Sequence, residues 1–348
     1  MVADHPSDPA RTGSLFADEA SAHAGVGAAV PDEALKRLAV QLPAHLRLGT
    51  SSWHFPGWAN RVWDRLYSEK QLSRAGLSAY ARHPLFGAVS LDRAFYRPLS
   101  VAQYAAYAEQ VPDGFRFLVK APARVTDALI RESGGQGVRD NPDFLDADLA
   151  WHEFAAPASE GLGEKLGALV FQISPLPGRV LADLDALIAR LHEVLCRMQQ
   201  VKARVPHAVV AVEVRNPQWL APAFVDALKD SGATYCLGLH PKMPAPGDQL
   251  PILRQLWPGP FVCRWNLNPR HGAYGYEAAR ESYAPFDQMV DPDPHTREIV
   301  ARVAAGTAGQ DQPVYITINN KAEGCAPESV RALADAIQSL ATRGRDRS

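Results

Sequence analysis

The chain has 348 residues, 47% apolar and 21% charged, with 36 basic side chains against 38 acidic ones. That length and composition exclude a disordered protein, a collagen-like repeat and a small disulfide-stapled scaffold, and they allow a large core. A formal net charge of −2 supplies no bulk attraction to nucleic acid or to anionic membranes.

Residues 1–44 are rich in Ala, Ser, Gly, Asp, Pro and His. They read as a flexible leader with one short helix from about Pro31 to Ala39. From residue 45 to about 343 the pattern is regular, and 344–348 read as a tail. Short β-type runs alternate with helical stretches. Leu46 to Thr50 is the first run, with a helix near Ser73 to Arg82. Ala88 to Asp92 is the second, before a helix from the N-cap Ser100 to Gln110. Phe115 to Lys120 is the third, followed by a long polar segment and a helix near Asp146 to Ala155. Ala168 to Ile173 is the fourth, before the strongest helical pattern, Arg179 to Val201. Its Leu181, Leu184, Ile188, Leu191 and Leu195 recur at three and four residues.

Ala208 to Val214 is the fifth run, with a helix from Pro222 to Ser231. Thr234 to Leu239 is the sixth, with a short helix at Leu250 to Leu256. Pro260 to Trp265 is the seventh, with a helix near Pro294 to Ala304. Val314 to Ile318 is the eighth, with a helix from Pro327 to Ala341. Eight strand–helix units in one domain predict a (β/α)₈ TIM barrel, an α/β fold. The rival, an open doubly wound sheet, lacks a glycine-rich phosphate loop after its first strand.

The four cysteines, Cys196, Cys236, Cys263 and Cys325, form no CxxC pair, so a structural zinc site is not expected. Scattered thiols fit a reducing compartment. No run approaches the roughly 18 to 20 apolar residues that span a bilayer. The N-terminus lacks a basic stretch followed by an apolar one. The expectation is a cytoplasmic protein with no membrane association.

A barrel places its chemistry where strands end and βα loops begin. Those positions carry Trp53, Asp92, Tyr96, Arg97, Lys120, Gln172, Glu213, Arg215, His240, Lys242, Arg264, Asn266, Asn319, Asn320 and Lys321. Period-two alternation refines the reading. If Val210, Val212 and Val214 meet helices, then Ala211, Glu213 and Arg215 face the interior. The same reasoning turns Ser90, Asp92, Leu118 and Lys120 inward.

The segments Gly49-Thr50-Ser51-Ser52-Trp53, Phe95-Tyr96-Arg97, Phe115 to Pro122, Leu169 to Gln172, Val212 to Pro217 with Trp219, and Asn319-Asn320 with Gly324 and Ala326-Pro327 resemble domain-of-unknown-function family 72, the YecE-like proteins. The resemblance runs from about Leu46 to Ala341 and implies a TIM barrel, with no established reaction. The chain departs from it in having Ser90 where a glutamate is typical, with a carboxylate at Asp92 instead. It also has Asn266 where a histidine is typical.

These residues predict an acid/base enzyme, a hydrolase or isomerase, acting on a small anion such as a sugar phosphate or nucleotide. Glu213 is expected to move a proton, with Lys120 and Asp92 as its catalytic companions. Lys120, Arg215 and Arg264 would hold negative charge, joined at the mouth by Arg97 and Lys321. Gln172, Asn266, Asn319 and Asn320 would orient the ligand, and Trp53, Tyr96 and Tyr276 would offer it flat faces. A structural ion pair between Glu213 and Lys120 is the plainer reading of those two. Asp92, Glu213 and His240 are the only metal-ligand set in view, and neighbouring cations oppose it, so neither metal nor cofactor is expected. A ligand-binding barrel without turnover is one alternative. A nucleic-acid processing protein is the other, disfavoured by the near-neutral charge. The oligomeric state is not legible.

Overall fold

The computed structural model describes residues 25–131 and 137–345. The strands are β1 (Leu46–Thr50), β2 (Phe86–Leu91), β3 (Arg116–Lys120), β4 (Leu129–Arg131), β5 (Gly137–Asp140), β6 (Leu166–Gln172), β7 (Val209–Glu213), β8 (Thr234–Leu239), β9 (Phe261–Trp265) and β10 (Val314–Ile318). Among the described residues, β4 and β5 form an antiparallel hairpin, and the other eight strands close into a barrel in the order β1-β10-β9-β8-β7-β6-β3-β2. Every barrel pairing is parallel. With helices between its strands, the molecule is a (β/α)₈ TIM barrel.

Alternation decides which side chains go inside. Val210, Val212 and Val214 belong to the outer core between strands and helices, together with Phe117, Val119, Val89 and Leu91. Their neighbours Val209 and Ala211 join Ala88, Leu118, Ala168, Val170, Cys236, Val262 and Tyr315 in an apolar plug inside the barrel. The polar strand ends sit above that plug. Parallel register sets Gln172 beside Glu213 and Arg264 beside both Gly238 and Thr317.

Helix boundaries follow local chemistry. The stretch expected as one helix from Arg179 to Val201 is divided into Gly178–Leu181 and Leu184–Met198. Asp183 divides it: its backbone is non-helical and its carboxylate caps the second piece by accepting from the Ala186 N–H at 3.1 Å. The stretch expected from Ser73 to Arg82 is likewise two helices, Glu69–Ala75 and Leu77–Tyr80, the first opened by a capping box on Ser68 and Gln71. The hairpin β4–β5 and the helix Tyr276–Tyr283 were not anticipated.

The stretch expected as a leader, residues 1–44, is described only from residue 25. Residues 1–24 lie outside the described residues. Beyond them Ala28 bridges to Trp63, and the helix Glu33–Gln41, capped by Asp32, buries Leu35 and Leu38 against the barrel's outer layer. Two leucines one turn apart are what a docked amphipathic helix requires. The expected tail begins at 344, within the helix Ala326–Arg345. Among the described residues no helix is long and apolar enough to cross a membrane.

Candidate functional site

The strand ends of the barrel surround a cavity of about 500 Å³, within the range of small-molecule sites. Its floor is an ionic network. Glu213, at the end of β7, is fully buried. Its Oε2 accepts from Arg264 Nη1 at 2.7 Å, and its Oε1 from Asn266 Nδ2 at 3.1 Å. Arg215 Nη2 stands 2.5 Å from the same Oε1. Both guanidiniums also reach Gln172 Oε1, Arg264 at 3.1 Å and Arg215 at 3.3 Å. Arg264 Nη2 donates to Asp92 Oδ2 at 2.8 Å, and Ser90 Oγ donates to Asp92 Oδ1 at 2.6 Å. Gly238 leaves the space the glutamate fills, since a Cβ there would stand 2.8 Å from Glu213 Cγ.

The electrostatics follow from this pairing. Burial opposes charge on Glu213, but Arg215 and Arg264 overcome it and hold the carboxyl below its usual range. Asp92 behaves alike: burial opposes its charge, and Arg264 and Lys120 bring it down. Both carboxylates are ionised at neutral pH. Glu213 has two arginines and an amide on its oxygens and does not line the cavity. Glu213, expected to move a proton, thus faces Arg215, Arg264 and Asn266 rather than the open cavity. The plainer expectation, a Glu213–Lys120 pair, is corrected, because the partners of Glu213 are arginines.

Lys120 ends β3 and lines the cavity. Among the described residues its Nζ has no hydrogen-bond or ion-pair partner, and it lies 3.5 Å from the centre of the Phe95 ring. Burial pushes this ammonium down to about 8; Asp92 and Glu213 pull it up, while Arg264 and Arg215 push it further down. His240, at the end of β8, lines the cavity beside Tyr276, with the ring centres 5.5 Å apart. Its Nδ1 accepts from the Lys242 N–H at 3.1 Å, which leaves the proton on Nε2. Burial, then Arg215, pushes the imidazole down to about 3, so it is a neutral donor at neutral pH.

Of the anticipated residues, Asp92, Tyr96, Lys120, Gln172, Arg215, Arg264, Asn266, Tyr276 and Asn319 line this cavity. Trp53 is in a neighbouring compartment of about 340 Å³ that shares Asp92, Tyr96 and Asn319. The remaining anticipated residues are elsewhere. Arg97 is exposed, one residue past the helical turn Arg93–Tyr96 that carries Phe95 and Tyr96 to the cavity. Asn320 is buried and structural, its Oδ1 accepting from Trp58 Nε1 at 3.1 Å and from the Ala326 N–H at 2.8 Å. Lys321 Nζ lies 5.8 Å from the ring centres of Tyr276 and Phe286, outside the cavity lining. Phe95, Pro175, His240, Lys242, Ala273 and Tyr274 complete the wall; His240 and Lys242 stand among the strand-end positions read from the sequence, which gave them no ligand-binding role. The strand-end rule that selected Lys120 applies equally to His240. Among the described residues, no cluster of three or more His, Cys, Asp or Glu side chains could hold a metal ion. Asp92 and Glu213 instead spend their oxygens on Arg264.

Comparison with known proteins agrees with the barrel. Two solved structures share the fold: a DUF72 family protein from Enterococcus faecalis V583 and one from Thermotoga maritima MSB8. The first is 18% identical, with a TM-score of 0.51, over 84% of this chain and 95% of that one. The second is 16% identical, with a TM-score of 0.51, over 85% of this chain and 98% of that one. No curated protein matches the chain. The profile of the family described as "Protein of unknown function DUF72" matches residues 47–346, and the chain belongs to that family.

Proposed function

We propose that this barrel is an acid/base enzyme acting on a small anion, such as a sugar phosphate or a nucleotide, in the cavity at its strand ends. A single observation carries the reading: among the described residues Lys120 Nζ faces that cavity with the Phe95 ring beside it and no hydrogen-bond or ion-pair partner, while the neighbouring arginines are tied to carboxylates. Burying an unpaired cation is costly, and a bound anion supplies the missing partner. Lys120, falling to about 8, carries the proton; a group near the working pH holds either form. His240 Nε2–H donates a hydrogen bond to developing negative charge. Arg215 and Lys242 hold the anion, and Gln172, Asn266 and Asn319 orient it. Glu213 keeps Arg215 and Arg264 in place, and Arg264 keeps Asp92 ionised. The free cysteines fit a cytoplasmic protein.

The test is a panel of sugar phosphates, nucleotides and short carboxylates, each followed by proton NMR with wild type and Lys120→Met. The expected result is conversion of at least one member by wild type and none by the variant. Binding without conversion across the panel would favour a non-catalytic barrel. Salt-sensitive binding of oligonucleotides, with no response to the small anions, would favour a nucleic-acid protein.

A further inference from the structure

We infer that the Lys120 amine is a covalent nucleophile, forming an imine with an aldehyde or ketone carried by the anion in the barrel-mouth cavity. The inference rests on the anion-binding reading above and names the reactive group of the ligand.

The first support is geometric. Lys120 is 9% exposed and lines a cavity of about 500 Å³, and its amine has no hydrogen-bond or ion-pair partner among the described residues. A lysine kept as a structural cation finds a carboxylate, and here two carboxylates stand in the same network, both taken by arginines. The second support is the neighbourhood. Desolvation and adjacent cations are how proteins make a lysine amine nucleophilic near neutral pH. Lys120 has the Phe95 ring on one side and feels Arg264 and Arg215. The third is the set of groups around it. His240 Nε2–H is a neutral donor for a carbonyl oxygen, and Arg215 and Lys242 are cations for a phosphate or carboxylate on the same molecule.

The step balances without an oxidant or reductant. The neutral Nζ lone pair bonds to the carbonyl carbon, and the C=O pair moves to the oxygen. One proton passes from nitrogen to that oxygen, giving a carbinolamine. The hydroxyl takes a second proton and leaves as water while the nitrogen lone pair closes the C=N bond. Counted from the ammonium, R–NH₃⁺ and a carbonyl become a protonated imine and one water. The positive charge stays at Nζ, where Asp92 and Glu213 favour it. The protonated imine then draws electrons from the adjacent carbon, which eases proton removal there.

The experiment uses the full chain with glyoxylate and, separately, glyceraldehyde 3-phosphate, in the presence of sodium cyanoborohydride. Peptide mapping by mass spectrometry locates the reduced adduct. Lys120 is expected to exceed any surface lysine by about tenfold or more, inorganic phosphate to suppress the adduct, and Lys120→Arg to carry none at that position. The groups acting on this amine are Asp92 just past β2, Glu213 at the end of β7, Arg215 two residues beyond it, and Arg264 from β9; with them, adduct yield should rise with pH through about 8. Labelling confined to surface lysines, while calorimetry shows phosphate bound and lost in Lys120→Met, would overturn the imine and leave the anion site standing. Neither adduct nor phosphate binding would overturn both.

Discussion

Both ends of the barrel are rich in arginine, and the two ends use it differently. At the end where strands begin, Arg47 and Arg116 flank Tyr315, which is in the interior plug. Their guanidiniums donate to backbone carbonyls, and Arg116 also to the Tyr315 hydroxyl. Arg47 Nε donates to Gly114 O at 2.9 Å and its Nη1 to Leu46 O at 3.1 Å, and Arg116 Nη1 donates to Asp113 O at 2.6 Å. At the end where strands finish, Arg215 and Arg264 are spent on Glu213, Asp92 and Gln172, and a lysine is left over, facing a cavity. Basic residues alone therefore do not mark a site. What marks it is a cation beside open space after the carboxylates have been allotted. The division matches the barrel rule that one end carries stability and the other chemistry.

The largest expected effect is at Glu213. Glu213→Ala leaves two buried guanidiniums facing each other and should cost about 3–5 kcal/mol in urea unfolding, as for other broken buried ion pairs. Glu213→Gln keeps the shape and should cost less. A loss under about 1 kcal/mol for the alanine would mean that the network is not holding the mouth together. Gly238→Ala comes next. Its new Cβ would press on Glu213, so a loss of about 1–3 kcal/mol and weaker anion binding are expected from one methyl on a neighbouring strand.

Lys120→Met should separate binding from stability. It removes a buried ammonium that has no hydrogen-bond or ion-pair partner among the described residues, so unfolding resistance is expected to hold or rise while phosphate affinity falls about tenfold or more. The pH dependence gives a sharper form. Burial lowers Lys120 from its ordinary 10.5 to about 8 in the folded chain. Between those values the unfolded chain holds a proton that the folded chain has released, so stability should rise with pH across that window. The rise should vanish when wild type is compared with Lys120→Met by urea unfolding at about pH 8 and about pH 10. An unchanged slope would mean that this amine titrates normally. The smallest effect belongs to the other end: Arg116→Gln should change stability by no more than about 1 kcal/mol and leave the phosphate titration unaltered.

The fold was legible because a barrel repeats one simple instruction. Valines at 210, 212 and 214 turn Ala211 and Glu213 inward whatever the rest of the chain does. Leu46–Thr50, Thr234–Leu239 and Val314–Ile318 needed nothing beyond their own residues. The break at Asp183 was hidden because leucine spacing continues across it, while the cap that stops one helix and starts the next is a local competition. The site was partly legible for a related reason. Alternation places a strand residue, but it says nothing of a loop, so Arg97, Asn320 and Lys321 were drawn in by proximity in sequence. Asn320 belongs to Trp58, which is far away along the chain. The roles of Glu213 and Lys120 depended on which cations take which carboxylates. Four strands contribute to that allotment, so no single segment encodes it.

The central claim is that Lys120, with no ion-pair partner among the described residues, makes the barrel mouth an anion site. Calorimetric titration of inorganic phosphate into wild type and Lys120→Met at neutral pH tests it most directly. The account predicts saturable binding at one site in wild type and a loss of about tenfold or more in the variant. Equal affinity in the two proteins, or no phosphate binding to a folded wild type, would contradict it.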